Sequence, residues 1–139
     1  MAFSSFSHPV RVYWEDTDAG GVVFYANYLK FFERARTEWL RGEGFGQQRM
    51  VEETGVVFIV TQTHVRYLRP ARLDDELRLT VDRAEVGRAR LVVEQQAWRG
   101  DELLCEGSIH LACVQQGTFR PCRIPTAIFD RLTSDHTSP

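Results

Sequence analysis

The chain is poor in the residues that build metal centres and disulfide frameworks. Its 139 residues include 3 cysteines and 4 histidines. The cysteines are Cys105, Cys113 and Cys122, and the histidines are His8, His64, His110 and His136. The number of cysteines is odd, no two form a CxxC motif, and no two histidines have metal-ligand spacing. We therefore expect no disulfide framework and no metal site, and a reducing, cytoplasmic location.

Long apolar runs and an excess of positive charge are also absent. The longest apolar run, Val56 to Val60, is far too short to cross a bilayer. The first nine residues lack a basic region followed by an apolar one, so we expect no signal peptide. A net charge of -2 and a pI near 6.1 give no basic field for nucleic acid. No serine lies in a GxSxG elbow, so an α/β-hydrolase triad is not supported.

The length suits one domain over residues 1–139, with its core at about residues 8–130 and a frayed polar tail from Thr133. His8 to Trp14 alternates like a strand, with Val10, Val12 and Trp14 on one face. The following segment, Glu15 to Gly21, is rich in small and acidic residues and predicts a loop.

A long amphipathic helix follows this loop. Its apolar residues at helical spacing are Tyr28, Phe31, Phe32, Ala35 and Trp39. We expect Asn27 to cap its start and Gly42 or Gly44 to cap its end. A shorter helix is predicted from Gln47 to Glu53, ending at Gly55.

The remainder of the chain has the pattern of β-strands. Val56 to Leu68 is rich in β-branched residues and stops at Pro70. Three further alternating stretches follow, from Leu77 to Val81, Ala89 to Val93 and Leu103 to Cys113, with a hairpin signal at Arg99-Gly100-Asp101. This order predicts an α+β domain in which a curved antiparallel sheet wraps around one long helix.

The loop before the long helix combines three features that chemistry on a thioester requires. Carboxylates, Asp16 and Asp18, follow a strand, and glycines let the backbone approach a ligand closely. The start of a helix supplies unpaired N–H groups and a positive dipole end. Such a carboxylate attacks a thioester or activates water, while an N–H group stabilises the developing oxyanion.

Three stretches of this chain resemble the 4-hydroxybenzoyl-CoA thioesterase family of hotdog-fold enzymes. They run from Arg11 to Val23 (RVYWEDTDAGGVV), from Phe32 to Glu38 (FERARTE) and from Pro70 to Asp75 (PARLDD). With the strand order, the similarity covers about His8 to Pro125, and within the family it is greatest to the acyl-CoA thioesterases associated with the bacterial Tol–Pal system.

The resemblance implies hydrolysis of acyl-coenzyme A without a metal or dissociable cofactor. It implies that Asp18 is the catalytic carboxylate and that the backbone N–H of Tyr25 polarises the thioester carbonyl. We assign Gly21 and Val22 to substrate binding. Many relatives carry histidine at the position of Tyr25, so here a role for an imidazole is lost while the backbone role survives. Hotdog domains form dimers and often tetramers with active sites at the interface, and we expect a homodimer at least and a homotetramer in preference to a dimer.

Structural alternatives accompany each of these assignments. Asp18 could be only a turn or cap residue, and Asp16 is better explained by bonds to loop amides. Tyr25 could simply pack its ring in the core. If Asp18 is catalytic, the sequence leaves open whether it acts as nucleophile or as general base.

Charged residues outside the loop have ordinary explanations as well. Glu33 and Glu38 are expected to pair with arginines of the same helix, Arg34, Arg36 and Arg41. The alternative is that Glu33 reaches the active site of a neighbouring subunit. Among the arginines near the strand turns, Arg88 is our candidate for the phosphates of coenzyme A, because the guanidinium fork suits phosphate.

Two other functions remain open at this stage. The first is an acyl-coenzyme A or acyl-carrier-protein binding or scaffold protein linked to the Tol–Pal and phospholipid-synthesis machinery. The second is a hotdog dehydratase or isomerase, which usually pairs an aspartate with a histidine in a motif that this sequence lacks.

Overall fold

The computed structural model describes residues 6–134, which fold into an antiparallel sheet and three α-helices. The elements in chain order are β1 Phe6–Arg11, α1 Asn27–Gly42, α2 Gln47–Thr54, β2 Val56–Tyr67, β3 Glu76–Val86, β4 Arg90–Arg99, β5 Glu102–Gln115 and α3 Thr126–Thr133, with a short 3-10 helix at Trp14–Asp16 between β1 and α1. None of the helices within this described part combines the length and apolar content needed to cross a bilayer.

All strand pairs of the sheet are antiparallel, in the order β1-β3-β4-β5-β2. The predicted hairpin is present, because β4 and β5 pair from Arg99 opposite Glu102 onward. Helix α1 packs across the sheet, mainly against β3 and β1. The predicted α+β architecture, a sheet wrapped around one long helix, is confirmed.

The apolar stripe of α1 forms the centre of the core. The five residues predicted to lie on this stripe are all buried, and Phe31, Phe32 and Ala35 are completely inaccessible. Burial of these side chains is the main stabilising term for the helix.

The helix ends agree only partly with the prediction. The predicted cap of α1 at Gly42 or Gly44 is wrong, because Gly42 is the last helical residue and Glu43 holds the cap position; Gly44, with φ of 97°, follows it. Gly55 caps α2 with φ of 73°, as predicted. The prediction that Asn27 caps α1 is wrong: Ala26 holds the cap position, and Asn27 is the first helical residue. The amide of Asn27 donates instead to the carboxylate of Asp16 at 2.8 Å.

The first strand ends earlier than predicted. It stops at Arg11, and Trp14 enters the 3-10 helix with its side chain 78% exposed, so its expected place beside Val10 and Val12 is wrong. The reason is Asp16, whose carboxylate accepts the Tyr13 N–H at 2.8 Å and closes the turn.

Helix α3 was missed by the sequence analysis. Its Ile128 and Leu132 are buried, and Arg83 of β3 donates to the carbonyls of Leu132 and, at 3.0 Å, of Ser134. The expected frayed tail from Thr133 therefore begins inside a hydrogen-bonded helix end, and most of that tail, with His136, lies outside the described residues.

Candidate active site

The loop between β1 and α1 folds back on itself as a small hairpin. The Asp18 N–H donates to the Val22 carbonyl at 2.9 Å, and the Gly21 N–H donates to the Asp18 carbonyl at 3.0 Å. Gly21 has φ of 81°, a conformation that L side chains rarely adopt. Thr17 pairs with Val23 across the hairpin. The predicted site residues Asp18, Gly21 and Val22 thus share one tight turn.

Asp16 holds the base of this hairpin. Only 4% of the residue is exposed. One carboxylate oxygen accepts the Tyr13 N–H and the other accepts the Asn27 amide, both at 2.8 Å. Asp16 therefore links the end of the β1 segment to the first turn of α1, and the structural reading of this residue is confirmed.

Asp18 has the opposite environment, because its side chain is exposed at the tip of the hairpin. Its Oδ1 accepts the Gly20 N–H at 2.8 Å, which fixes the side chain over the turn. Its Oδ2 accepts no hydrogen bond from residues 6–134. The loop thus presents one anchored carboxylate oxygen and one that can meet a ligand or water.

Tyr25 stands immediately before α1 with 63% of its surface exposed, so the alternative of a ring packed in the core is wrong. Its ring lies 4.8 Å from that of Phe24 and 5.9 Å, edge-on, from that of Tyr67. Within the described part of the chain, the Tyr25 N–H donates to no protein group, while its carbonyl accepts the Tyr28 N–H at 3.3 Å. An open N–H donor at the positive end of α1 is therefore present where it was predicted.

A buried tyrosine supports this hairpin from below. The Tyr28 hydroxyl accepts the Ala71 N–H at 3.1 Å, and the Ala71 carbonyl accepts the Val23 N–H at 2.8 Å. Burial raises the pKa of Tyr28 above its usual value, and the hydrogen bond from Ala71 opposes this shift. Tyr28 stays a neutral phenol at physiological pH and ties α1 to the segment before β3.

Two neighbours of the site were not singled out from the sequence. Tyr67, at the end of β2, contacts both Tyr25 and Tyr28 through its ring. Arg72 pairs through its backbone with Val22. The signal for Arg72 was available, because it lies in the third stretch that resembles the family. Nothing local marked Tyr67, since its place beside Tyr25 depends on the path of the sheet.

Arg88 lies far from Asp18 in the same chain. Strand β3 begins at Glu76, opposite Arg11, and ends at Val86. Eleven residues of strand span roughly 34 Å, so the turn that carries Arg88 is at the other end of β3 from the loop. The Arg88 guanidinium lies 5.7 Å from the Phe129 ring centroid and has no carboxylate within 4 Å among the described residues.

The charged side of α1 also departs from expectation at Arg36 and at Glu33, whose carboxylate has no arginine within 4 Å among the described residues. Glu38 pairs with Arg41, as predicted. Arg36, expected to be a surface partner of the glutamates, is instead 9% exposed and donates through Nη1 to Gln95 Oε1 at 3.0 Å. The carboxylate of Glu33 accepts the Thr37 hydroxyl at 2.7 Å. Arg36 occupies the helix position four residues after Phe32, so it lies on the buried stripe despite its charge.

The described residues contain no group of three or more histidine, cysteine, aspartate or glutamate side chains that could hold a metal ion. The hairpin presents a carboxylate and backbone N–H groups beside a helix start.

Comparison with known proteins points to one family. The chain matches the thioesterase-like superfamily over residues 12–132. It is 44% identical over 128 residues to the acyl-CoA thioesterase YbgC of Haemophilus influenzae, which covers 92% of this chain and 94% of that protein. A probable thioesterase from Bartonella henselae superposes with a TM-score of 0.83 at 31% identity, over 88% of this chain and 100% of that one. SAV2348 of Staphylococcus aureus, solved in complex with CoA, shares the fold with a TM-score of 0.86 at 20% identity, over 95% and 84% of the two chains.

Proposed function

The chain belongs to the thioesterase-like superfamily of hotdog-fold thioester hydrolases, and on this basis we propose that it hydrolyses acyl-coenzyme A to the free acid and coenzyme A. The observation that carries the proposal is the hairpin before α1, which presents the open Asp18 carboxylate oxygen and the open Tyr25 N–H in one short segment.

Asp18 is the central catalytic group in this proposal. Its free Oδ2 either attacks the thioester carbonyl carbon or takes a proton from an attacking water. Its anchored Oδ1, held by the Gly20 N–H, keeps the carboxylate in place without neutralising it. Asp16 is unsuited to this work, because both of its oxygens are occupied by donors inside the fold.

The Tyr25 amide stabilises the negative charge that develops on the carbonyl oxygen. A backbone donor fixed in advance costs no reorganisation during the reaction, which makes such groups effective in acyl transfer. The dipole of α1 adds to its field. The turn at Gly21 and Val22 binds the substrate beside it. Because residue 25 is tyrosine, no imidazole takes part at this position.

Coenzyme A is the thiol carrier that the related proteins suggest. The relative from Haemophilus influenzae is named an acyl-CoA thioesterase, and the Staphylococcus aureus protein was solved with CoA. We assign Arg88 to the phosphates of the nucleotide. Since Arg88 and Asp18 lie at opposite ends of β3, Arg88 serves the site of a neighbouring subunit.

The free edge of the sheet supports a homo-oligomer. Strand β2 pairs with β5 on one side only, and its 12 residues include the exposed Val60 and Tyr67. A long free edge of this kind is usually covered. We propose that two copies pair through β2 as a dimer, and that two such dimers form a tetramer. Sedimentation of the native protein as a monomer would contradict this.

The proposal also includes a cellular location and candidate partners for this protein. We place the enzyme in the cytoplasm, because an odd number of cysteines without a CxxC motif suits a reducing compartment. Acyl carrier protein and the Tol–Pal and phospholipid-synthesis machinery are the partners to test if the protein binds acyl groups without hydrolysing them.

The test is release of free thiol from short-chain, long-chain and aromatic acyl-coenzyme A by the native protein and by the Asp18→Asn variant. Asp101→Asn, the same change in the exposed β4–β5 turn, serves as the control. We expect release by the native protein and the control, and a loss of about 100-fold or more in the Asp18 variant. Full activity of that variant would remove Asp18 from the mechanism, and no release from any substrate would favour the binding function.

A further inference from the structure

A cavity of about 160 Å³ lies between the second half of α1 and the sheet, away from the hairpin. Most of its lining is apolar, and the polar groups come from helices α1 and α2. The lining includes Glu33, Arg36, Trp39, Phe58, Val60 and Leu111. An apolar cavity of about 150 Å³ accommodates benzene, so this one has room for a group of six or seven heavy atoms.

Arg36 is the unusual member of this lining. The residue is 9% exposed, and no carboxylate lies within 4 Å of its guanidinium among residues 6–134. Burial lowers the pKa of Arg36, and the Coulomb effect of Glu33 opposes this only in part. An arginine remains charged in a protein, so the fold holds a buried positive charge without a direct ionic partner.

The guanidinium of Arg36 is held in one orientation by a hydrogen bond, and two of its nitrogen atoms remain available as donors. Its Nη1 donates to Gln95 Oε1 at 3.0 Å, and the Gln95 amide in turn donates to the Phe32 carbonyl at 3.0 Å. Nε and Nη2 donate to no group in the described part of the chain. Since no fully buried side-chain nitrogen there lacks a partner, Nε and Nη2 must face accessible space, and Arg36 lines the cavity.

From this we infer that the cavity binds a carboxylate carried on a short apolar stem, with the Arg36 guanidinium as its ionic partner. The carboxylate accepts from the unused donors, which is the geometry that a guanidinium fork favours. The stem packs against Trp39, Phe58 and Leu111. Glu33 weakens the binding of an anion only slightly, because its side chain is exposed and water screens its charge.

The carboxylate that binds at Arg36 can belong to either of two molecules. One is a free carboxylic acid, and the other is an acyl-coenzyme A whose acyl group ends in a second carboxylate. The second of these rests on the proposed function and on the β2-paired dimer. Phe58 and Val60, in the first half of β2, line the cavity, and Tyr67, which ends β2, lies beside Tyr25. We place the two-fold axis of the dimer near Thr63, so that antiparallel pairing of two β2 edges brings the cavity of one subunit beside the hairpin of its partner, where an acyl group attached at Asp18 would extend into it.

The binding test titrates the intact protein with pentanoate and with pentanamide, its neutral counterpart of equal size. We expect pentanoate to bind at least about tenfold more tightly, because a hydrogen bond to a charged group is worth more than one to a neutral group. Arg36→Gln should abolish this preference, and Arg34→Gln, the same change on the exposed face of α1, should keep it. Absence of pentanoate binding, or an unchanged preference in Arg36→Gln, would overturn the inference.

Val60→Phe provides a second variant that leaves the charge untouched. Val60 is 47% exposed, so the fold tolerates a larger side chain there, and the added ring occupies the cavity. We expect weaker binding of both pentanoate and pentanamide. If Arg36→Gln does not fold, undiminished pentanoate binding by Val60→Phe still rejects the cavity as the site.

Comparison of kcat/KM for glutaryl-coenzyme A and pentanoyl-coenzyme A shows whether the carboxylate belongs to the acyl group or to a free acid. If the acyl end enters the cavity, Arg36→Gln lowers the ratio of the two by about tenfold or more. If the ratio is unchanged while pentanoate binding is lost, the site takes the free acid. Because the titration needs no hydrolysis, failure of the thioesterase proposal and failure of this one give different results.

Discussion

The two aspartates of the hairpin offer the sharpest test of how this loop works. Asp16 and Asp18 are two residues apart and chemically identical, yet one is 4% exposed with both oxygens bonded and the other is exposed with one oxygen free. The same substitution, aspartate to asparagine, should therefore affect stability at one position and activity at the other.

The expected loss of stability at Asp16 can be worked from its two hydrogen bonds. Each joins a donor to a charged acceptor at 2.8 Å, and such a bond contributes about 1.5–3 kcal/mol. Asparagine keeps one acceptor and turns its N–H₂ group toward the second donor, so we expect a loss of about 2–3 kcal/mol. For a chain of this length that lowers the melting temperature by about 6–12 °C.

Asp18→Asn should change the free energy of unfolding by less than about 0.5 kcal/mol, because an exposed residue is replaced and the bond from the Gly20 N–H survives. Thermal unfolding at one fixed protomer concentration and thiol release from acyl-coenzyme A are measured for both variants, since melting of an oligomer depends on concentration. A stable, inactive Asp16 variant with an unstable, active Asp18 variant would reverse the roles and refute the reasoning.

Three further outcomes are expected. Tyr28→Phe leaves the buried N–H of Ala71 without an acceptor and should lower the free energy of unfolding in urea by about 1–3 kcal/mol; an unchanged value would mean that the hydroxyl does not hold that segment. Burial raises the pKa of Cys105 from 9.0 to about 12, so its contribution to stability is present below pH 9 and is lost as pH rises from 9 toward 12. Between pH 8 and 10 the native protein should lose about 1 kcal/mol more than Cys105→Ala, and equal losses would contradict the shift. Arg88→Ala should raise KM for acyl-coenzyme A with little change in kcat, and an unchanged KM would remove Arg88 from the site.

The family and the enzyme class predicted from the sequence, a thioester hydrolase of the hotdog fold, are confirmed by the similar proteins. Substrate binding at Gly21, Val22 and Arg88, like the catalytic roles of Asp18 and Tyr25, stays a prediction. The hairpin lies within the first of the three stretches that resemble the family.

The errors in the sequence analysis have a common cause. Asn27 has a side chain suited to capping, and Trp14 continues an alternating pattern, yet both are placed by bonds or turns that involve Asp16. Arg36 was assigned to the surface because of its charge, although its position on α1 coincides with the buried stripe. In each case the residue type suggested one place, and a hydrogen bond or the position on the helix set another.

By itself the sequence determined the long helix, the strands with their hairpin, and the loop that carries Asp18, because periodicity, glycine positions and turn signals are local properties. Only the tertiary structure decided which aspartate is buried, that the Tyr25 amide is open, and that Tyr67 lies beside it. It also decided that Arg36 faces a cavity and that Arg88 lies at the opposite end of β3 from Asp18. The positions of Tyr67 and Arg88 and the cavity at Arg36 depend on strand order and on helix packing against the sheet, which a pattern within a short window does not encode. The burial of Asp16 depends on hydrogen bonds to Tyr13 and Asn27 that form only in the folded loop.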